Sequence, residues 1–465
     1  MSRITRAVDV AIVGGGLVGM AVAAGLADAA RAVGATVALV DASAWPPAEG
    51  GRRESVRDQA EEAYRPESVR TSSITPAARD FLNSDAVDVW RRVPIERRTP
   101  FRTMKVYGRR RHPVMRFEGR DRVWSDEDDP PLGWIVENTS LLQAMRERLL
   151  TSTDDERAGV QRLVGQVQQL DWDASTGWPL LHIARDASTP AARVERVAAR
   201  LVVAADGGRS SVRRLADLSW YTQPYHQEAV VAVVHTRQPH DTAWQRFLST
   251  GPLAVLPMGG RGQCSNIVWS TTPDEAHWLV QEASEAAFLH EVNRALHAED
   301  AERLQVEAPA PPSSDWPEAT ELVAPRTPPT RAHFPLHLGH APRYYRNHVV
   351  LVGDAAHVVH PLAGQGVNLG LADAESLCRR VTAAWHSGRD VGEEALLAAY
   401  QTERLPQNAL MLASLHGIRS WFAWRLAEDT PLAQAADAVR SLGMQAATHW
   451  TPLRRLFVQM ATGGK

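Results

Sequence analysis

A stretch reading VAIVGGGLVGMA, residues 10 to 21, leaves few folds open to the chain that carries it. Val8 to Val13 predicts a short buried strand, Leu17 to Ala32 the helix behind it, and Thr36 to Val40 a second strand ending at Asp41. Between strand and helix, Gly14, Gly16 and Gly19 stand at G-x-G-x-x-G spacing. That spacing meets a steric need: a tight turn, close backbone approach to a pyrophosphate, and a helix pressed against its sheet. The helix start, at Leu17 and Val18, turns unsatisfied N–H groups and a partial positive charge toward the phosphates. Asp41 falls 22 residues beyond Gly19 at a strand end, where a carboxylate accepts from a ribose hydroxyl. The unit predicts an α/β dinucleotide-binding fold, and alone it fits NAD and FAD equally.

A second glycine-rich segment, GDAAHVVHPLAGQGVNLG at 353 to 370, follows the apolar run His348–Val352. It holds one acid, two histidines, one proline and four glycines, so it offers mostly bare backbone. That suits a flat, electron-rich ring system, which needs close approach and N–H donors and is blocked by bulky side chains. Gly353 ends a strand, and Asp354 is placed to bond a ribityl or pyrophosphate-side hydroxyl. Pro361, Gly364, Gln365, Gly366, Val367 and Asn368 then form a turn opening a helix, whose N-terminus would stabilise the negative charge of a reduced flavin. A return to the cofactor late in the chain selects FAD.

Composition narrows the setting. A chain of 465 residues suggests two or three domains, and a formal net charge of -3 gives no reason to expect nucleic acid. Of 51 cationic residues only Lys105 and Lys465 are lysine, a bias read as genomic composition. Cys264 and Cys378, 114 positions apart, exclude a zinc ribbon and give no disulfide framework, so a reducing compartment and no metal are expected. No apolar run approaches the roughly 20 residues that span a bilayer, which predicts a soluble or peripheral protein. The opening MSRITRAVD is too short for a transit peptide.

Segments 45–68, 118–131 and 308–330 are charged or proline-rich and are expected to loop out of the body. Residues 228–236 and 252–271 alternate as strands of a second sheet. From Asp373 the chain predicts helices, broken at Pro406, Pro431 and Pro452. The expected organisation is a discontinuous FAD-binding domain (1–88, 132–219 and 341–385), a sheet domain for substrate (89–131 and 220–340), and a helical region (386–465).

Three motifs, GGGLVG, ADGGRSSVR at 205–213, and GDAAH with PLAGQG, resemble in this order the class A flavoprotein aromatic monooxygenases of the para-hydroxybenzoate hydroxylase type. The resemblance implies a Rossmann-type FAD-binding domain with an interleaved β-sheet substrate domain and a helical C-terminal part. It places Asp206 and Gly207 where FAD and a nicotinamide donor meet, and Arg70, in SVRTSSITPAARDFL, near the cofactor. LGWIVEN (132–138), AWQRFLSTGPLAVLPM (243–258), IVWST (267–271) and FPLHLGHAPRYYRNHVVLVGDAAH (334–357) are similar to the ubiquinone-biosynthesis hydroxylases. GMQAATHWTPLR (443–454) and the long insertion before FPLHLGH look like the eukaryotic, mitochondrial branch. The likeness covers roughly residues 8 to 460. It implies O₂-dependent hydroxylation, at ring carbon C5, of a polyprenyl-hydroxybenzoate-type intermediate through a C4a-hydroperoxyflavin. Ferredoxin with its reductase, or NAD(P)H, would supply electrons. The implied location is the matrix side of the mitochondrial inner membrane, held peripherally and in contact with the multi-enzyme ubiquinone-synthesis complex; in a bacterium it is the cytoplasmic face of the inner membrane.

The residues leave the catalytic group open. The protein must hold the ring, exclude water and favour an ionised phenol, whose free pKa is about 10. His357 and His360 are candidates for handling that proton, or else bond backbone beside the flavin turn; the second reading is preferred, with Pro361 and Gly364 as flavin-side positions. Val230–Val234, Leu253–Pro257 and Phe334–Leu336 are candidate walls of a channel for the tail, or core. HGIRSWFAWRLAE (416–428), with Trp421, Phe422 and Trp424 among Arg419 and Arg425, fits a membrane interface or a core helix. A flavin halogenase would show W-x-W-x-I-P and an active-site lysine, and neither is present. A hydroxylase of a small soluble phenol and a non-catalytic flavin-binding subunit of a biosynthetic assembly stand as alternatives.

Overall fold

The computed structural model describes residues 4–43, 64–108, 113–121, 130–150, 159–185, 194–259, 262, 264–297, 317–361 and 364–423. Strand Arg6–Val13 is apolar on both faces because it lies inside an open sheet and is covered on each side. The strand order is Tyr345–Arg346, Val349–Leu351, Val194–Ala204, Arg6–Val13, Val37–Asp41, Val160–Val164. Every pairing after the first is parallel, and the register sets Leu351, Ala204, Val13 and Val40 level with one another. Four segments therefore leave the sheet side by side at one edge. Backbone bonds stitch these exits: Gly14 N–H donates to the Val40 carbonyl (2.8 Å), Ala205 to Val13 (2.8 Å) and Val352 to Ala204 (3.0 Å). Pro179–Ala184 and Gln166–Trp172 extend the sheet antiparallel from Val194–Ala204.

Helix Leu17–Val33 buries Met20 to Leu26 without a break, since it is sandwiched between this sheet and helix Gln365–His386. Small residues allow the close approach: a Cβ on Gly25 would stand 2.9 Å from Cys378 Sγ. The helix stops at Gly34, whose φ of 69° is the left-handed conformation glycine adopts freely.

A second, nine-stranded sheet runs His357–Val358, Arg331–His340, Tyr221–Thr236, Cys264–Thr271, Pro252–Met258, Thr242–Phe247, Thr103–Tyr107, Pro113–Glu118, with Ala319–Leu322 paired to Tyr221–Thr236. One face is packed by Phe288 and Val292 of helix Glu285–His297. A three-stranded sheet of Thr71–Ile74, Gly133–Glu137 and Arg98–Phe101 sets Phe101 and Ile135 against Val231, Val233 and Met258 on the other face.

Several expectations change here. The proposed loop 308–330 contains the strand Ala319–Leu322, which caps the edge of Tyr221–Thr236. The end of the proposed insertion 45–68 is tied down: buried Glu137 accepts from the Tyr64 hydroxyl (2.5 Å), the Glu67 N–H (2.6 Å) and Arg97 Nη1 (2.7 Å). Pro406 does not break its helix, which runs from Glu394 to Ala423. Arg404 and Asn408 on either side of that proline both bond the buried Asp373, so tertiary contacts hold the two halves in line. The proposed channel divides between opposite faces of the sheet. Val230, Ala232, Val234, Leu253 and Val255 are core beneath the helices, while Val231, Val233, Leu256 and Phe334 face the other way. Pro431, Pro452, the segment 443–454 and the side chains of Trp421, Phe422 and Trp424 lie outside the described residues. No helix among the described residues is long and apolar enough to cross a membrane.

Candidate flavin and active site

The aligned strand exits carry the sequence-predicted residues to one place. From Val13 the chain enters Gly14, from Ala204 it enters Asp206–Gly207, from Leu351 it enters Gly353–Asp354, and Val40 leads to Asp41. Each glycine of the first turn has its own reason. Gly14 has φ 111°, and a Cβ there would stand 2.3 Å from the Ala205 carbonyl oxygen; a Cβ on Gly19 would stand 2.0 Å from the Gly14 oxygen. Gly16 differs, because a Cβ there would meet nothing within 4 Å. The turn is tight where the chain packs on itself and open where a pyrophosphate approaches the helix N-terminus, which fits FAD. Asp41 Oδ2 accepts from the Gly15 N–H (2.6 Å) and Oδ1 from the Ser43 N–H (2.8 Å), so the carboxylate shapes the turn and keeps lone pairs for a ribose.

Asp206 is used within its own loop. Its oxygens accept from the Ser211 N–H (2.7 Å), the Val212 N–H (3.2 Å) and the hydroxyls of Ser210 and Ser211, capping the short helix Ser211–Leu215. That leaves the Gly207 backbone, φ 83° with open space around it, as the part of the motif free to meet a ligand. Arg213 is a residue that sequence reasoning missed. It is buried, and it donates to the Gly208 carbonyl and the Ala355 carbonyl at 2.8 Å each, locking two cofactor-facing turns together beneath Trp220.

The late glycine segment interlocks with the early one through Val18. A Cβ on Gly353 would stand 3.0 Å, and one on Gly370 2.5 Å, from Val18 Cγ2. Gly364 has φ 60° and lies against Ser73, where a Cβ would come to 2.7 Å of the serine Cβ. Gln365 and Asn368 are buried at the start of the helix that follows, and Pro361 closes the turn through its carbonyl to the Gly364 N–H (3.3 Å). Gly366, by contrast, has only ordinary contact with Val359 (3.7 Å), and Val367 packs on the core. The Asn368 side chain is engaged by protein: Oδ1 accepts from the Thr75 N–H (3.0 Å), and Nδ2 donates to the carbonyls of Ser73 (2.7 Å) and Gly364 (2.9 Å). It pins strand Thr71–Ile74, and with it Arg70, to the flavin-side turn. Asn368→Asp turns both donations into oxygen–oxygen repulsion, with an expected loss of about 2–3 kcal/mol in urea unfolding and of bound flavin in the purified protein. Arg70 itself is exposed, its guanidinium 5.9 Å from the Phe334 ring centre.

The two histidines differ from the reading that has them bond backbone. His360 sets its ring edge-on to Tyr225 (5.2 Å between centres). His357 Nε2 lies 2.6 Å from Asp373 Oδ2. Asp373 is fully buried and takes four donors: His357, the Gly353 N–H (3.0 Å), Arg404 Nε (2.8 Å) and Asn408 Nδ2 (3.0 Å). Burial alone would raise its carboxyl, but His357 and Arg404 override that and hold it down to about 2. This hub fixes the first residue of the late flavin turn from behind. No lone residue type signals it, because its members come from three segments.

An open, mainly parallel sheet that brings three such turns to one edge, with a mainly antiparallel sheet alongside, is the architecture of the FAD-dependent aromatic monooxygenases. The chain superposes on p-nitrophenol 4-monooxygenase PnpA of Pseudomonas putida with a TM-score of 0.68 at 17% identity, covering 99% of this chain and 100% of that one. It superposes on PqsL of Pseudomonas aeruginosa, a probable FAD-dependent monooxygenase, with a TM-score of 0.66 at 22% identity (94% and 99% covered); both likenesses concern the fold alone. Residues 183–414 match the FAD binding domain family. The chain is 31% identical over 468 residues to the mitochondrial ubiquinone biosynthesis monooxygenase COQ6 of Danio rerio, covering 98% of this chain and 89% of that protein. The human COQ6 gives 31% over 472 residues (98% and 92%), and the ubiquinone hydroxylase UbiL of Rhodospirillum rubrum 36% over 338 residues (72% and 68%). The chain belongs to the family of FAD-dependent ubiquinone-biosynthesis monooxygenases.

Proposed function

We propose that the protein hydroxylates the aromatic ring, at C5, of a polyprenyl-hydroxybenzoate-type intermediate in ubiquinone biosynthesis. The observation that carries this reading is the likeness to COQ6 over 98% of the chain, joined to the meeting of Gly14–Gly16, Gly207 and Gly353–Asp354 at one sheet edge. Bound FAD supplies the oxygen chemistry, consuming O₂ and a reductant. The chain's own residues do the rest. The turns of Gly14–Gly19, Asp206–Gly208 and Gly353–Asp354 would bind the cofactor, and Asp373 and Arg213 keep the second and third of them in place. The positive end of the helix that begins at Gln365 would favour negative charge on the cofactor. Val359, which packs on the cluster of Val106, Phe247 and Leu415 beside Gly366, would shield the side where a substrate ring enters.

An apolar tail finds its support beyond Val359. Met104, Met115, Phe117 and Met411 are partly buried there around Val106, Phe247 and Leu415. Thioether side chains adapt to a flexible chain better than the rigid sheet core around Val230–Val234. The names of the COQ6 relatives support a mitochondrial setting; within it we propose a peripheral position at the matrix face of the inner membrane, in a ubiquinone-synthesis assembly.

Rapid mixing of FAD-loaded protein with NADPH, or with ferredoxin and its reductase, in the presence of a prenylated 4-hydroxybenzoate tests this function. Flavin reduction through ferredoxin followed by product hydroxylated at C5 is the expected result. Efficient turnover of a small, tail-free phenol, or flavin that cycles with neither donor, overturns it.

A further inference from the structure

Strand Tyr221–Thr236 begins with four exposed residues, and Tyr225 is the first of its side chains to be buried. A break in register puts it there. Pro224 stands level with His337 and Gln227 with Leu336, so Tyr225 and His226 are two residues that the neighbouring strand does not match. His226 takes φ 53°, a left-handed conformation that a side chain rarely adopts, and stays exposed. Such a bulge bends a strand and re-aims a side chain, here the Tyr225 ring. That ring meets His360 with ring centres 5.2 Å apart and planes at 60°, and the His416 ring lies closer to parallel with it at 6.2 Å. Tyr225 is 5% and His360 1% exposed. The three rings come from three elements: the second sheet, the late flavin turn and helix Glu394–Ala423.

His360 directly precedes Pro361, whose carbonyl closes the turn through a long bond of 3.3 Å to the Gly364 N–H. Asn368 ties the far end of that turn to the Ser73 and Gly364 carbonyls, and Asp373 holds Gly353 behind it. The near end is fastened by packing: Val359 lies on Val106, Phe247 and Leu415, and His360 on Tyr225. Leu415 and His416, adjacent on one helix, serve both contacts. We propose that Tyr225 is a positioning residue for oxygen transfer: its ring, re-aimed by the bulge and backed by His416, holds His360 and so sets the Pro361 end of the flavin turn against the substrate ring. This rests on the hydroxylation proposed above. A misplacement of about 1 Å is enough to spoil a reacting geometry. With the near end released, the Gly14–Gly19 and Asp206–Gly208 turns still take FAD, since the first is stitched to Val40 and the second is held by Asp206 within its own loop. O₂ then takes two electrons and two protons and leaves as hydrogen peroxide, instead of giving one oxygen atom to the ring and the other to water.

A single turnover tests this without any electron-donor protein. FAD-loaded protein is reduced photochemically in the absence of oxygen, given a prenylated 4-hydroxybenzoate and mixed with O₂, and product and peroxide are counted per bound flavin. Tyr225→Leu is expected to lower product per flavin about tenfold, with peroxide rising in its place, while Tyr225→Phe, which keeps the ring, stays within about twofold of the unmodified protein. His416→Ala, at a half-buried helix position, lowers product about threefold, so a Tyr225 variant that fails to fold does not end the test. Hydrogen exchange of the apoprotein gives a second readout. The Val359, His360 and Gly364 amides exchange about tenfold faster in Tyr225→Leu and at the original rate in Tyr225→Phe, with strand Arg6–Val13 unchanged in both. A role in stability alone lowers bound flavin and leaves the ratio of product to peroxide as it was, and that result overturns the proposal. So does a Tyr225→Phe variant that loses product as fully as Tyr225→Leu, because the hydroxyl and not the ring would then matter. An unmodified protein that yields peroxide and no hydroxylated ring overturns the proposed function, and the proposal with it.

Discussion

Gly14→Ala yields a chain that neither folds stably nor retains flavin, whereas Gly16→Ala gives a normally folded apoprotein that binds FAD weakly. The two residues are two positions apart in one motif, so the contrast separates folding from ligand binding. At Gly14 a methyl group would overlap the Ala205 carbonyl at 2.3 Å, and the backbone sits at φ 111°, which an L side chain rarely adopts. The overlap cannot be relieved by a rotamer change, because Ala205 is fixed by its N–H to Val13 in the neighbouring strand. Overpacking and backbone strain together make a cost of about 3–5 kcal/mol, a large part of a typical folding free energy. At Gly16 the backbone is extended, with φ -75° and ψ -179°, and a Cβ touches no protein atom. The apoprotein's thermal midpoint should therefore stay within about 1 °C of the unmodified value, while FAD affinity falls about 10- to 100-fold. Differential scanning fluorimetry of the apo forms and fluorescence titration with FAD read the two effects separately. Unaltered FAD affinity in Gly16→Ala would show that the pyrophosphate does not approach this glycine.

Local chemistry made much of this legible. The strand–glycine–helix unit, Asp41 and the glycine-rich turn at 364–368 each follow from short-range sterics, so their meaning is contained in a dozen residues. Recurring side-chain patterns did the same for the strands within 228–236 and 252–271. What escaped depends on distance along the chain. Asp373 looks like one more acid on a helix surface until Gly353, His357, Arg404 and Asn408 close around it. Arg213 looks like a surface cation after a capping serine until it is seen spanning two turns. Pro406 has an intrinsic preference to break a helix, and tertiary bonds on both sides of it override that preference. The candidate channel walls, read equally as core, divide between two faces for a related reason. Apolar residues in an inner strand alternate between two faces, and sequence does not say which face a helix will cover.

Asp373→Asn is expected to produce the largest loss of stability among substitutions that preserve shape, and the loss should depend on pH in a defined direction. At neutral pH the substitution leaves Arg404 buried without its counter-charge, and removing one partner of a buried pair costs about 3–5 kcal/mol. It also leaves the His357 imidazole facing a neutral amide. The sign of the pH effect follows from the carboxyl itself, held near 2 in the folded protein although burial alone would raise it. A depressed folded pKa contributes stability that is fully present above the ordinary carboxylate value of about 4 and is lost as the pH falls toward about 2. Urea unfolding at neutral pH should show the full deficit, and the gap between the two proteins should narrow below about pH 4. The narrowing has a structural consequence. Asp373 Oδ2 also accepts the Gly353 N–H, so acid that weakens the hub should loosen the late flavin turn before the main sheet gives way. Flavin release, followed by its recovery of fluorescence, should then precede the loss of far-ultraviolet circular dichroism on acidification. A deficit that stays constant down to about pH 3, with release and unfolding coincident, would mean that shape rather than charge at Asp373 holds the turn.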